Sequence, residues 1–327
     1  MKNSKAIPIR IGHSPDPDDA FMFYALAHKK VDMRGFRVEH VIEDIESLNQ
    51  RALGTGSFSE GKGACPPTAE KGSGTILKSE NGARPQLEVT AVSCHAYAFL
   101  ADQYAVMRSG ASVGDGYGPI LVRKGLGTRT SGLDLTNKKI AVPGKLTTAY
   151  LVLQLYQKME EKTFPVPRSP NGRFEAIFVP FDQIFDAVKS GAADYGLIIH
   201  EGQITYEKHG MEKVLDLGAW WHQKTKLPLP LGVDVIRKDL GPETLRSFAK
   251  LFKESIEYAL NHRKEALEYA SQFGRGISED LNDRFVAMYV NDRTIDLGKD
   301  GEAGFRKLLD MAYEHKIIPK QVKLEFI

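Results

Sequence analysis

Residues 7–26 read IPIRIGHSPDPDDAFMFYAL, and a change of periodicity inside this stretch decides the fold class. Ile7, Ile9 and Ile11 alternate with Pro8, Arg10 and Gly12, the two-residue period of a strand with one buried face. Pro15 and Pro17 then interrupt the chain, because proline lacks an N–H and holds φ near −65°. Asp18 or Asp19 can cap the helix that follows, whose apolar residues are Phe21, Met22, Tyr24, Ala25 and Leu26. Strand, polar turn and helix in such quick succession make the first half of a β–α unit.

The same alternation continues outward from this stretch. Residues 36–42 read as a second strand, and 44–53 as a helix with Ile45, Leu48 and Leu53 on one side. Residues 88–92 form a strand candidate and 94–100 the start of a helix. Residues 139–142 read as a strand ending at Pro143-Gly144, after which Thr147 and Thr148 open a helix through Tyr156. Residues 184–189 are helical, with Gly191 suited to the left-handed position past a helix end. Residues 195–200, YGLIIH, read as an apolar strand with a polar end. Beyond Pro242 the pattern is mostly helical, over 243–262, 263–273, 279–289 and 301–315. Together these predict an α/β fold with largely parallel strands.

Composition narrows the function. The chain has 327 residues and a formal charge of +2, so it offers no electrostatic footprint for nucleic acid. Its 2 cysteines, Cys65 and Cys94, cannot build a disulfide scaffold or a four-thiolate zinc site and fit a reducing compartment. The N-terminal apolar stretch is broken by Pro8 and Arg10, so a secretion signal is not expected, and no window is apolar enough for a membrane span. A cytoplasmic protein is therefore expected. The sequence says nothing of oligomeric state. Residues 54–85 hold seven glycines and three prolines but only Phe58, Ile76 and Leu77 as large apolar residues. Such a segment cannot offset its ordering entropy by burial, and it reads as a mobile insertion, dispensable for folding.

Several motif-like runs yield to simpler readings. Gly56, Gly61 and Lys62 have the spacing of a phosphate-binding loop, but Gly63 stands where a magnesium-binding hydroxyl is needed and no strand precedes. Gly114, Gly116 and Gly118 read as turn glycines before a strand at 120–123. His13, Asp16, Asp18 and Asp19 could suggest a metal, yet aspartates ahead of a helix commonly cap it, and no second ligand set has recognisable spacing. Ser93, beside Cys94 and His95, lacks a nucleophile elbow. His200 leaves a buried strand at its carboxyl end, the edge where open α/β sheets bind ligands. An imidazole there can act as a base near neutrality or serve as a hydrogen-bonded structural residue. Thr147 and Thr148 likewise serve as caps or as a carboxylate site.

The runs GHSPDPDDAFMFYAL, SGASVGDGYGPILV, AVPGKLTTAY, SGAADYGLIIHEGQITY, LGAWW and LPLPLGVDVIRKDLG together resemble the 1,4-dihydroxy-6-naphthoate synthase family of the futalosine route to menaquinone. Chorismate dehydratase and periplasmic substrate-binding proteins are its relatives in fold. The resemblance covers nearly the whole chain apart from 54–85. It implies a two-lobed, periplasmic-binding-protein-like fold of type 2 with a cleft between lobes. The lobes expected are residues 1–122 with 230–327, and residues 123–229. It also implies a lyase that cleaves cyclic dehypoxanthinylfutalosine to 1,4-dihydroxy-6-naphthoate and a three-carbon fragment, dihydroxyacetone. By position, His200 matches the family's proton acceptor, while Ala91, Val92 and Ser93, with Thr148 and Ala149, match its substrate contacts. No metal or organic cofactor is expected, since the implied chemistry needs proton transfers and no electron carrier. Asp16 and Asp18 replace the cysteine and asparagine of the family's SPCPND version, and Ala91 stands where some members carry lysine. A non-catalytic small-carboxylate binding protein and chorismate dehydratase are the alternatives. At the residue level, Glu201 is expected to point away from His200, which then acts mainly on its own and titrates near 6 to 7 if its site is not strongly perturbed.

Overall fold

Ile9 and Ile11 are fully buried while Arg10 between them is only partly so, so the alternating run becomes a strand with one face in the core, Ile7 at its start staying 43% exposed. The structure, a computed structural model, describes residues 6–55, 86–125, 133–160, 174–273 and 278–327. The insertion expected at 54–85 lies outside the described residues except for Gly54 and Thr55.

Along the chain run β1 (Ile7–His13), α1 (Pro17–Ala27), β2 (Phe36–Ile42), α2 (Ile45–Ala52), β3 (Val89–Ser93), α3 (Cys94–Leu100), β4 (Tyr104–Val106) and β5 (Ser112–Gly114). Next come β6 (Ile120–Lys124), β7 (Lys139–Val142), α4 (Thr148–Glu160), β8 (Glu175–Phe178), α5 (Ile184–Lys189), β9 (Tyr195–Ile198), α6 (Gly202–Thr205), β10 (Met211–Asp216) and α7 (Leu217–Thr225). After β11 (Leu229–Arg237) the chain is helical: α8 (Pro242–Asn261), α9 (Arg263–Ser271), α10 (Glu279–Tyr289), α11 (Asp292–Ile295) and α12 (Gly298–Glu314).

The described strands form two sheets. One has the order β2-β1-β3-β11-β4, with β5 also paired to β11; the other has the order β10-β6-β9-β7-β8. The chain passes from the first sheet to the second between β5 and β6 and returns between α7 and β11. Strands β1, β2 and β3 pair in parallel, as do β7, β8 and β9. Strand β11 is antiparallel to β3, β4 and β5, and β6 is antiparallel to β9 and β10. The expectation of largely parallel sheets is thus corrected to mixed ones. Strands β6 and β11 enter their sheets from the other lobe, so no βα crossover constrains them to run parallel.

Each lobe has its own core, and a third cluster ties the lobes together. Helix α1 packs on α8 through Phe23 and Phe252, stacked with ring centroids 5.0 Å apart. Ile120, Val122, Ile184 and Val188 pack beneath the second sheet. Tyr97, Leu151, Trp221 and Phe305 belong to one buried cluster that runs from α3 and α12 to α4 and α7. At the passage between sheets, a β-carbon on Gly218 would lie 1.9 Å from the Tyr117 carbonyl carbon, so only glycine lets α7 approach the crossing chain. Asp216 caps α7 there, accepting from the N–H groups of Gly218 and Ala219 at 3.1 and 3.0 Å. Among the described residues no helix is long and apolar enough to cross a membrane.

Candidate active site

Where the two sheets face each other lies a cleft enclosing about 740 Å³ of empty space, its open mouth included. Three helices begin at its walls: α1 with Asp16 at its N-cap, α3 with Ser93 at its N-cap, and α4 with Thr147 preceding Thr148. Helix N-termini turn unpaired N–H groups and positive dipole ends toward whatever they face. The structure brings Ala91, Val92, Ser93, Thr148, Ala149 and His200 together on the walls of this one cleft.

Each has a local reason for its place. Buried Asn49 of α2 grips Ser93 from both sides: its side-chain NH₂ donates to Ser93 Oγ at 3.1 Å, and its carbonyl accepts the Ser93 N–H at 2.9 Å. Thr147 caps α4 as the sequence suggests, accepting from the Tyr150 N–H at 3.3 Å while donating to the Gly144 carbonyl at 3.0 Å. Thr148 donates instead across the cleft, to the Leu231 carbonyl of β11 at 2.5 Å.

His200 differs from its sequence reading in three ways. The strand ends at Ile198, and His200 sits past it in the left-handed region, with φ of 58°. A histidine held there costs on the order of 1–2 kcal/mol, and the turn lets the chain enter α6 at once. His200 also has a partner: its Nδ1–H donates to Asp16 Oδ2 at 2.7 Å, across the cleft from the other lobe. The Phe181 ring meets the imidazole edge-on at 4.8 Å. The site is also strongly perturbed, so the value near 6 to 7 expected for an unperturbed site does not apply. Burial alone pulls its pKa down, but the carboxylates of Asp16, Glu201 and Asp18 outweigh it and raise the value to about 9.

The acid-rich run 14–19 is also rearranged. Asp16, rather than Asp18 or Asp19, occupies the N-cap of α1, and its side chain makes no capping bond. Its Oδ2 accepts from the Ser14 hydroxyl at 2.7 Å in addition to His200. Asp19 accepts the Ser14 N–H at 2.7 Å, and burial, helped by the Asp16 charge, pushes its pKa up to about 6. Burial raises Asp18 well above the usual carboxylate range, with the charges of Asp19 and Asp16 adding to it. Asp234, in mid-β11, is raised likewise by burial and then by Asp19. Both carboxyls are thereby biased toward the protonated form, in which each can donate a hydrogen bond. His13 leaves the cluster altogether: its Nε2 meets His40 Nδ1 at 3.1 Å, and burial lowers the two rings to about 4 and about 3. Among the described residues no group of three or more histidines, cysteines, aspartates or glutamates is placed to hold a metal ion.

Sequence reasoning missed Asp16 as the partner of His200, Asn49 behind Ser93, and the cleft residues Asp234, Gln203 and Tyr289. Asp234 did carry a signal, an acid inside the apolar run LGVDVIR. The Asp16–His200 pair carried none, because its members lie on different lobes.

The sequence profile described as menaquinone biosynthesis matches residues 9–56 and 79–314. The chain belongs to the menaquinone biosynthesis family. A Thermus thermophilus protein named 1,4-dihydroxy-6-naphtoate synthase is 36% identical over 300 residues, 92% of each chain. A Streptomyces coelicolor protein of the same name is 30% identical over 311 residues, 95% of each. Among solved structures, a protein from Archaeoglobus fulgidus matches with a TM-score of 0.77 and 41% identity, over 97% of this chain and 100% of that one. The alkanesulfonate-binding protein SsuA from Xanthomonas axonopodis matches with a TM-score of 0.64 and 12% identity, over 98% of this chain and 96% of that one. The latter likeness establishes the fold: this family member has the two-lobed architecture of periplasmic binding proteins.

Proposed function

We propose that this protein is the carbon–carbon lyase that converts cyclic dehypoxanthinylfutalosine to 1,4-dihydroxy-6-naphthoate with release of dihydroxyacetone, acting in the cytoplasm, with His200 as general base. The observation that carries the reading is the meeting of His200 with the Ser93 and Thr148–Ala149 segments on one cleft, in a chain of the menaquinone biosynthesis family. Both curated relatives bear the name of that synthase.

The chemistry suits the cleft. Fragmenting a polyol ring and aromatising the remainder requires a hydroxyl or C–H proton to be taken up and a proton to be returned to the departing fragment. Nδ1 of His200 is held by Asp16, so Nε2 is the nitrogen that accepts. The substrate carboxylate is assigned to the first N–H groups of α4, at Thr148 and Ala149, where the helix dipole favours a negative charge. Ala91, Val92 and Ser93 form the facing wall, and Asp18 and Asp234, biased by burial toward the protonated form, offer hydrogen bonds to hydroxyls of the polyol.

The test is incubation with cyclic dehypoxanthinylfutalosine and, separately, chorismate, followed by mass spectrometry. Release of 1,4-dihydroxy-6-naphthoate from the first alone is the expected result. Turnover of chorismate would assign the dehydratase reaction instead, and turnover of neither, with binding of another acid, would make this a binding protein. His200→Ala should lower kcat by about 10²- to 10⁴-fold, the scale of general acid–base catalysis, with binding changed far less.

A further inference from the structure

We propose that Asp16 is the positioning residue of His200: its carboxylate reaches across the cleft, fixes the proton on Nδ1, and so presents Nε2 to the substrate. This rests on the reading of His200 as the base.

Several observations converge on the role. Asp16 lies between Pro15 and Pro17, whose rings restrict the backbone around it. An aspartate at a helix N-cap ordinarily turns its carboxylate onto the free N–H groups of the first turn. Asp16 does not; it directs Oδ2 to the Ser14 hydroxyl and to His200 Nδ1, each at 2.7 Å. Its side chain is only 3% exposed, and a buried carboxylate needs a partner. Among the described residues neither lysine nor arginine lines the cavity, and the imidazolium of His200 is a cation within reach at 2.7 Å. His200 accepts a strained left-handed backbone at the point where its ring meets that carboxylate.

Asp16 and Asp18 face the His200 ring from α1, Glu201 from its own turn, and Asp19, Asp234 and Tyr289 line the same cavity beyond. An aspartate in this position does two things to an imidazole. It selects the tautomer whose free lone pair is on Nε2, and it stabilises the imidazolium formed when Nε2 takes the substrate's proton. The proton moves from a substrate O–H or C–H to Nε2, its bonding electrons stay with the substrate, and the proton then returns to the departing fragment. Nothing is oxidised or reduced.

The sign of the pH dependence follows. Neutral imidazole is the active form, so kcat should rise with pH and level off only above about 9. In Asp16→Asn the amide carbonyl can still accept from Nδ1–H, but the charge that favours imidazolium is gone while burial remains. The rising limb should then fall to 6.5 or below, and the high-pH plateau should drop about 10²-fold, with KM changed less than about threefold. A merely structural Asp16 would lower stability without moving the limb. Because the variant could fold poorly, the wild-type protein is titrated in parallel by NMR of its histidine imidazoles. His200 should titrate near 9 and, when neutral, carry its proton on Nδ1. A wild-type value of 6.5 or lower, or a proton on Nε2, overturns the proposal. An inactive His200→Ala beside an Asp16→Asn with unmoved limb and plateau also overturns it but leaves the base reading intact. Full turnover by His200→Ala would sink the base reading itself.

Discussion

Asp234 occupies the middle of β11, 1% exposed and opposite Ala91 of β3 in the sheet register. Its Oδ1 finds no hydrogen-bond partner among the described residues. Burial keeps it protonated in the folded chain at a pH where the unfolded chain has it ionised. Its contribution to stability is therefore complete below about pH 3.8 and is lost as pH rises through the elevated folded value. Asp234→Asn, neutral in both states, should stabilise the fold at pH 7.5 by about 1–3 kcal/mol, with the gain vanishing near pH 4. Urea midpoints at the two pH values check this, and a loss of stability at pH 7.5 would show that the carboxyl makes contacts an amide cannot. Asn49 works the other way. Asn49→Ala leaves the Ser93 N–H and hydroxyl without their buried partner, costing about 1–3 kcal/mol. Since Ser93 lines the cleft and is proposed to contact substrate, KM should rise more than kcat falls.

At the scale of elements, the site is made where strands end and helices begin. Helices α1, α3 and α4 each start at the cleft after a strand or turn, so their N-termini converge without any of them entering it. The spacing of the lobes depends on a close approach elsewhere. Gly218, in the first turn of α7, lies against Tyr117 and Gly118 of the passage between sheets. Gly218→Ala would drive a methyl into the Tyr117 carbonyl, which is backbone and cannot rotate away. Overpacking of this kind costs about 1–3 kcal/mol, so a lower Tm is expected even though alanine is the better helix former. An unchanged Tm would mean that α7 can slide without penalty.

The whole molecule is held with its lobes together by contacts that span the cleft. Besides Asp16 with His200, Glu46 of α2 accepts the Leu146 N–H at 3.0 Å, and Tyr289 of α10 donates to Gln203 of α6 at 2.8 Å. Tyr289→Phe removes one of these, so KM should rise about 2- to 10-fold, the worth of one neutral hydrogen bond. The His200 pair adds a pH dependence. A base whose pKa is raised by folding stabilises the fold fully below its unfolded value of about 6.5 and ceases to do so as pH passes 9. The span corresponds to on the order of 3 kcal/mol, and Asp16→Asn should flatten this part of the stability profile. If wild type and variant show parallel profiles from pH 6.5 to 9.5, the pair does not carry that energy.

The sequence by itself determined the α/β class and those elements whose signals are local. The alternation in 7–13, the threonines at 147 and 148, and Gly191 with φ of 79° each act within one turn or strand, and β1, α4 and α5 stand where those signals put them. The family resemblance likewise singled out His200, Ser93 and Thr148, which the structure places on one cleft. Strands β4, β5, β8, β10 and β11 and helices α6, α7 and α11 escaped notice, since strand identity depends on a neighbouring strand to pair with and two of these helices are single turns. Only the tertiary structure decided the chemistry of the site. Asp16 and His200 stand 184 positions apart, and neither residue carries any local mark of the other. Their pairing, and the shifts at Asp18, Asp19, Asp234 and His200, arise from burial and from charges on different elements, which exist only once both lobes have closed around the same space.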